Sequence, residues 1–426
     1  MAGLFADREI VLGVTGSIAA YKACDLASRL IEAGARVTPV LTRHALEFVG
    51  AVSFEAITGR RAIVEMFEPL HSPEIEHIAV AQRAELFLIA PATANILAKA
   101  AHGIADDWLS TTLLATRAPV LFAPAMNANM YAHPATQTNI ETLRARGCHF
   151  VEPEEGRLAC GVTGPGRLAE TRAILDAAAV LLCRKKDLAT CRVLITSGPN
   201  HEPIDPVRFI GNRSSGKMGR ALALEALRRG ARVTVISGPA TVALPDGAET
   251  VRVETALEMF EAVKARIKIA DVFISAAAVA DYRVEHPAIA KRKRGAEPLA
   301  LRLVPNPDIA AHVGAAKRPD QVAVGFAAET EDLLDHARNK LRDKRLDLIV
   351  ANAVGGAACA IGADRVDAHL LAASGAVRDL PGVSKEALAE ALFDEIAALL
   401  AARGTTKKRP GEQQRRKGSK TAKGGR

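Results

Sequence analysis

A chain of 426 residues has room for two or three domains that each bury a core, and 49% apolar with 24% charged residues is an ordinary globular balance. The 4% aromatic content argues against a base-stacking nucleic-acid platform. The net charge of +8 gathers in Arg403 to Arg426, a Lys/Arg-rich stretch predicted to be a disordered basic tail on a body close to neutral.

The N-terminal Asp7-Arg8-Glu9 is too charged for a signal peptide, and no apolar run approaches the ~20 residues of a membrane span. Cys24, Cys148, Cys160, Cys183, Cys191 and Cys359 make no C-x-x-C pair and no metal-ligand spacing with histidine, as reduced intracellular thiols do. The expectation is a cytoplasmic protein with no membrane and no specific nucleic-acid partner.

Ile10-Val11-Leu12 reads as a strand running into the Gly13-Val14-Thr15-Gly16-Ser17 turn, and Ala19 to Glu32 has helical spacing. His77 stands just ahead of another helix, a position where lone histidines are most often surface or capping residues. Leu86-Phe87-Leu88-Ile89-Ala90 is a buried strand ending in Pro91-Ala92-Thr93-Ala94-Asn95, and Val120-Leu121-Phe122-Ala123 repeats the device before Pro124-Ala125-Met126-Asn127. Strands alternating with helices make a doubly wound parallel sheet, whose ligands sit beyond the carboxyl ends of the strands. Gly16-Ser17, Thr93-Asn95 and Met126-Asn127 all fall at such ends. Cys160, in Leu158 to Arg167 with Gly161, Gly164 and Gly166, belongs to a glycine-rich flap.

Arg184-Lys185-Lys186-Asp187 is a polar break, and a new α/β run follows it. Val193-Leu194-Ile195 ends in Thr196-Ser197-Gly198-Pro199, a loop leads to Asn212-Arg213-Ser214-Ser215-Gly216-Lys217-Met218-Gly219, and a helix runs from there to Arg229, capped by Gly230. A loop of Ser, Gly and Lys at a helix N-terminus suits an anion. It is not a Walker P-loop, because Met218 follows Lys217. Gly34-Ala35-Arg36-Val37-Thr38 echoes Gly230-Ala231-Arg232-Val233-Thr234, so two α/β units begin separately. Val272 to Ser275 and Leu346 to Asn352 read as further strands, and the basic loop Arg283 to Leu299 is expected to be mobile without a ligand. The predicted fold class is α/β: two Rossmann-like, doubly wound parallel-sheet domains in tandem, residues 1–187 and 188–403, then a tail at 404–426.

These motifs carry a resemblance. Gly16-Ser17-Ile18-Ala19-Ala20-Tyr21-Lys22, His77, Ala90 to Asn95, Pro124 to Tyr131 and the Cys160 flap resemble the flavin-containing cysteine decarboxylases, in that family's order. Asp205-Pro206-Val207-Arg208, Asn212 to Gly219, Ala276 to Tyr282, Asn306-Pro307-Asp308-Ile309 and Gly325 to Thr330 resemble the phosphopantothenate–cysteine ligases. Together they resemble the bifunctional bacterial proteins of coenzyme A biosynthesis over about residues 5 to 400.

For the first half the resemblance implies FMN bound by Gly16, Ser17, Thr93, Asn95 and Met126. It also implies His77 as the base of the oxidative half-reaction, Asn127 on the substrate carboxylate, and Cys160 as proton donor in the reductive half. For the second half it implies CTP and Mg²⁺, with 4'-phosphopantothenate and cysteine as the substrates joined. Ser275, Ala276, Ala277, Asp281, Lys291, Pro307, Asp308, Ile309, Ala310, Phe326, Lys340 and Lys344 would contact the nucleotide, Asn212 the phosphopantothenoyl part, and Lys291 would assist turnover. No metal ligands are assigned. A homo-oligomer is implied, trimeric through the first domain and dimeric through the second. Three positions depart from the family pattern: Lys291-Arg292-Lys293-Arg294 leaves the functional lysine open between Lys291 and Lys293, Asn200 stands where Thr is common, and Tyr131 where Trp is common.

Two other classes compete. A dinucleotide-dependent oxidoreductase lacks support, because the Gly-x-Gly-x-x-Gly fingerprint is absent and Thr42-Arg43 stands where an acidic residue would end the second strand. A non-catalytic regulator on the decarboxylase scaffold is disfavoured by the retention of His77, Asn127 and Cys160 beside a ligase half.

Overall fold

Leu86-Phe87-Leu88-Ile89-Ala90 is apolar throughout because its strand is buried on both faces: Leu86, Leu88 and Ala90 enter one core, Phe87 and Ile89 another. The division recurs later, with Val193 and Ile195 opposite Leu194, and Val272 and Ile274 opposite Phe273. The computed structural model describes residues 5–66, 76–159, 161–294, 298–329, 331–353 and 363–404. They fall into two units, Met1–Arg184 and Lys185–Arg426.

In the first unit β1 (Glu9–Val14), β2 (Arg36–Leu41), β3 (Leu86–Ala92), β4 (Val120–Pro124) and β5 (His149–Phe150) form a parallel sheet in the order β2-β1-β3-β4-β5. Helices Lys22–Glu32 and Thr171–Leu182 cover one face through Leu26, Leu30, Ile174 and Leu175. Helices Ala94–His102, Trp108–Ala115 and Pro134–Ala145 cover the other through Ile96, Trp108 and Ile140. An antiparallel hairpin of β6 (Glu154–Arg157) and β7 (Thr163–Arg167) stands apart.

The second unit contains β8 (Arg192–Ser197), β9 (Glu202–Pro203), β10 (Phe209–Ile210), β11 (Arg232–Ser237), β12 (Glu249–Arg252), β13 (Val272–Ser275), β14 (Tyr282–Val284), β15 (Leu303–Pro305), β16 (Val322–Glu329), β17 (Leu348–Ala353), β18 (Arg365–Ala372) and β19 (Val377–Ser384). Its main sheet runs β12-β11-β8-β13-β16-β17-β18-β19, parallel through β17 and antiparallel beyond. The predicted doubly wound architecture is present in both units. The echoed glycines also match in structure: Gly34 and Gly230 both adopt positive φ, 93° and 85°, and each leads into the second strand of its sheet, β2 or β11.

The contacts divide the chain after Arg184, close to the expected boundary near residue 187; the Asp187 carboxylate accepts from the buried Arg229 guanidinium at 2.8 Å, and Leu188 N–H donates to Arg229 O. Three expectations are corrected. The helix predicted from Asn212 starts at Lys217, leaving Asn212 to Gly216 as a loop. Arg283 and Val284, expected in a loop, pair with β15, a hairpin too short to leave a periodic signal. The antiparallel β18 and β19, with helix Lys385–Ala402 behind them, extend the sheet beyond the strands predicted. Cys160 and residues 405–426 of the predicted tail lie outside the described residues. Among the described residues no helix is long and apolar enough to cross a membrane.

Helix Lys217–Arg228 packs so closely on the end of β8 that a Cβ at Gly219 would lie 2.0 Å from Ser197 Oγ. Gly219→Ala is therefore expected to destabilise the second unit by about 1–3 kcal/mol, as overpacking does. Thermal melting of the purified variant checks this: an unchanged transition would show that the helix can move aside.

Candidate functional site

The strand order of the first sheet reverses between β1 and β3, so their connections leave to opposite faces and open a crevice beyond the carboxyl ends. Thr15, buried at the end of β1, closes its floor. Its hydroxyl donates to Pro91 O at 2.7 Å and accepts from Thr93 N–H at 3.1 Å. A cavity of about 640 Å³ opens above, within the range of cofactor sites. Thr15, Gly16, Thr93 and Asn95 line it. A Cβ at Gly16 would lie 2.4 Å from His44 Cβ, so only glycine lets the His44 segment close over the turn. Ser17 is the neighbouring cap, its Oγ accepting from Ala19 N–H at 3.3 Å.

The cavity also holds residues the motifs did not single out. Lys99 Nζ pairs with Asp106 at 2.6 Å and Asp107 at 2.8 Å on its wall. Burial pulls the Lys99 ammonium down, but the two carboxylates outweigh it and hold it above the usual lysine value. Asp107 in turn caps helix Trp108–Ala115 by accepting from Ser110 N–H at 2.8 Å. Such a cluster has no local signature, because its meaning depends on burial.

Met126 and Asn127 do not line this cavity, although Met130, one turn further on, does. They form the β4 loop beneath the β6–β7 hairpin: Met126 N–H donates to Gly166 O at 2.9 Å, and a Cβ at Gly166 would lie 2.2 Å from Met126 O. Asn127 Oδ1 accepts from Asn129 N–H at 2.8 Å. Tyr131 donates to Glu152 at 2.7 Å. His77 is half-buried in helix Glu76–Arg83 and is not a lining residue either.

In the second sheet the order reverses between β8 and β13. Ala276 N–H donates to Thr196 O at 3.2 Å, Ala278 N–H to Gly198 O at 2.9 Å, and Asn212 Nδ2 to Val279 O at 2.9 Å, so three loops are tied together here. Two cavities meet at this edge and share Ala277, Val279, Phe326 and Lys340.

The smaller, about 300 Å³, is lined by Ser275, Ala277, Asp281, residues 307–310, Phe326, Lys340 and Lys344. Its lysines are held by carboxylates, Lys340 by Glu329 at 2.6 Å and Lys344 by Asp308 at 2.9 Å. Asp308 also caps helix Ile309–Ala316, accepting from Ala311 N–H at 2.9 Å. The larger, about 520 Å³, is lined by Asn212, Ser214, Ser215, Lys217, Ala276 and Lys385, among others. Lys385 carried no motif.

Lys291 lines neither cavity. Its exposed segment is anchored instead through Arg292 N–H, which donates to Asp205 at 3.2 Å. At Asn200 both side-chain polar atoms are buried with no hydrogen-bond partner among the described residues. Among the described residues no group of three or more His, Cys, Asp or Glu could hold a metal ion.

The chain matches the family model described as Flavoprotein over residues 5–182 and that of the DNA/pantothenate metabolism flavoprotein C-terminal domain over residues 188–400. It is 47% identical over 410 residues to the coenzyme A biosynthesis bifunctional protein of Mycolicibacterium smegmatis, a match spanning 93% of this chain and 98% of that one. The proteins of the same description from Bacillus subtilis and Escherichia coli K12 are 44% and 43% identical, each match spanning 92% of this chain and 97% of the relative.

Burial, aided by the Glu152 carboxylate, pushes the Tyr131 phenol up to about 12. Ultraviolet titration should therefore show one tyrosinate appearing near that pH, absent in Tyr131→Phe. Because the folded value lies above the unfolded value of about 10, its stabilisation is complete below pH ~10 and is lost as pH rises through 12.

Proposed function

Because the chain belongs to the family of coenzyme A biosynthesis bifunctional proteins, we propose that its second unit joins cysteine to 4'-phosphopantothenate using CTP, and that its first decarboxylates the product to 4'-phosphopantetheine. It is a bifunctional enzyme of coenzyme A biosynthesis, ligase and flavin-dependent decarboxylase in one chain. The observation that carries the division of labour is the 300 Å³ cavity. Residues scattered from Ser275 to Lys344, all of the kinds the ligase resemblance implies for the nucleotide, converge there on a strand-order reversal.

A carboxylate does not condense with an amine unless its oxygen is first made a leaving group. In the ligase a 4'-phosphopantothenate oxygen attacks the α-phosphorus of CTP and diphosphate departs. Cysteine nitrogen then attacks the acyl carbon, loses a proton, and expels CMP. Lys340 and Lys344 exchange Glu329 and Asp308 for phosphate oxygens as charge builds there. Asp281 and Asp308, both on the cavity wall, would supply carboxylate oxygens to a magnesium ion, which would neutralise phosphate charge. Asn212, tied to Val279 O, faces the phosphopantothenoyl arm, and Lys291 assists turnover from the Asp205-anchored segment.

The 640 Å³ cavity of the first unit fits FMN in volume, and its Gly16 turn is a cradle that a Cβ would fill. When bound, FMN supplies the electron sink that makes the carboxylate a leaving group and then returns the electrons. Thr93 and Asn95 line its site, with Ser17 and Met126 on adjoining turns. His77 removes a proton, Asn127 holds the substrate carboxylate, and Cys160 returns a proton. The chain works as a homo-oligomer, trimeric through its first domain and dimeric through its second; light scattering giving a monomer would remove this part.

Mass spectrometry after incubation with 4'-phosphopantothenate, cysteine, CTP and Mg²⁺ tests the whole: 4'-phosphopantetheine is expected, and the absence of any CTP-dependent product would refute it. His77→Gln should slow decarboxylation by about 10²–10⁴-fold, so that 4'-phosphopantothenoylcysteine accumulates. Lys344→Met should raise KM for CTP about 10-fold or more, the value of a charge-assisted hydrogen bond, and leave that for 4'-phosphopantothenate within about twofold. Equal effects on both would place Lys344 elsewhere.

A further inference from the structure

Two helix N-termini open on the 520 Å³ cavity. Helix Lys217–Arg228, 12 residues long, begins behind Ser214-Ser215-Gly216. Helix Lys385–Ala402, 18 residues long, begins behind Ser384, whose Oγ accepts from Ala387 N–H at 3.1 Å. The first residue of each helix is a lysine, and both lysines line the cavity.

The two lysines differ in how they are held. Lys217 Nζ pairs with Asp364 at 2.6 Å, on a carboxylate 85% exposed. Lys385 is only 8% exposed, and no described residue gives its ammonium a hydrogen bond or an ion pair. Burial first, and then the Lys217 charge, push its pKa down; Asp364 and Glu386 offset only part of this. A cation at a helix N-terminus also opposes the helix dipole. Desolvation, like charge and dipole all act against Lys385, and among the described residues no carboxylate pairs with this charge directly.

The ligand must therefore supply the negative charge. Two ammonium groups, two helix N-termini and the hydroxyls of Ser214 and Ser215 suit a phosphate monoester dianion. The triphosphate of the nucleotide has its own lysines, Lys340 and Lys344, in the smaller cavity. The two cavities join at Ala277, Val279, Phe326 and Lys340. An acid whose carboxylate meets the α-phosphorus at that shared wall would extend its other end toward Lys385.

We propose that Lys385 is a specificity-determining residue of the ligase, which together with Lys217 holds the terminal phosphate of the acid substrate and so selects 4'-phosphopantothenate over pantothenate. The proposal rests on the ligase reading and adds to it the residue that recognises the phosphate.

Steady-state ligation by the full chain tests it with Lys385→Met and Lys385→Arg. Lys385→Met should raise KM for 4'-phosphopantothenate about 10- to 100-fold, leave KM for CTP within about twofold, and cut the preference over pantothenate by the same factor. Lys385→Arg should recover most of the loss. The unliganded Lys385→Met protein should melt no lower than wild type, since a buried charge with no ion-pair partner among the described residues has been removed. A rise in KM for CTP instead, an unchanged preference for the phosphorylated acid, or a variant that melts lower or fails to fold would each overturn the proposal. Wild-type protein releasing no CMP would sink the ligase reading rather than the anion site. Calorimetric titration of wild type and Lys385→Met with 4'-phosphopantothenate would then still decide the role of Lys385, equal affinities overturning it.

Discussion

A buried threonine at the carboxyl end of the first strand ties each sheet together at the point where its strand order reverses. In the first unit the Thr15 hydroxyl bonds Pro91 O and Thr93 N–H across the β1–β3 gap. In the second, Thr196 accepts Ala276 N–H on its carbonyl and Ala277 N–H on its hydroxyl across the β8–β13 gap. Losing such a buried partner costs about 1–3 kcal/mol. The consequence reaches further than stability, because these bonds fix the spacing of the turns from which both sites are built. A parallel sheet covered on both faces leaves few places for a ligand, and the reversal point is one of them.

Around these crevices, charge is arranged for exchange more than for strength. Lys340 with Glu329, Lys344 with Asp308, and Lys217 with Asp364 are partly exposed pairs, a kind that contributes ~0–1 kcal/mol to stability. In the proposed ligation such pairs would hold each ammonium near its place until a phosphate oxygen takes over from the carboxylate. Among the described residues no carboxylate forms an ion pair with Lys385. It is kept in position by the packing of its helix, whose Leu388, Leu392 and Ile396 are buried in the same core as Val193 and Ile195.

Much of this organisation is legible in the sequence, and the reason is burial on two faces. Short apolar runs stopped by turn residues, such as Leu86 to Ala90 and Val193 to Ile195, read as central strands of a covered sheet, and the turns after them mark the ligand edge. The elements that escaped are short or half-exposed: β14 and β15 have three residues each, and β19 is exposed or half-exposed along its whole length. Within the sites, Gly16, Thr93, Asp281 and Phe326 could be found from motifs because their neighbours in the chain are also their neighbours in the cavity. Lys99 and Lys385 could not, since the first gains its meaning from Asp106 and Asp107 and the second from the end of another helix, more than 160 positions away in the numbering. Lys291, which the ligase resemblance picks out, is absent from the lining of the two cavities described at the β8–β13 edge.

If the two reactions run at the two strand-order reversals, a crystal structure of the protein with FMN and a non-hydrolysable CTP analogue will show the flavin beyond β1 and β3, against Gly16 and Thr93. It will show the nucleotide beyond β8 and β13, with Lys344 turned from Asp308 to a phosphate oxygen. A nucleotide seated along β18 and β19, or a flavin away from the Gly16 turn, would contradict this placement.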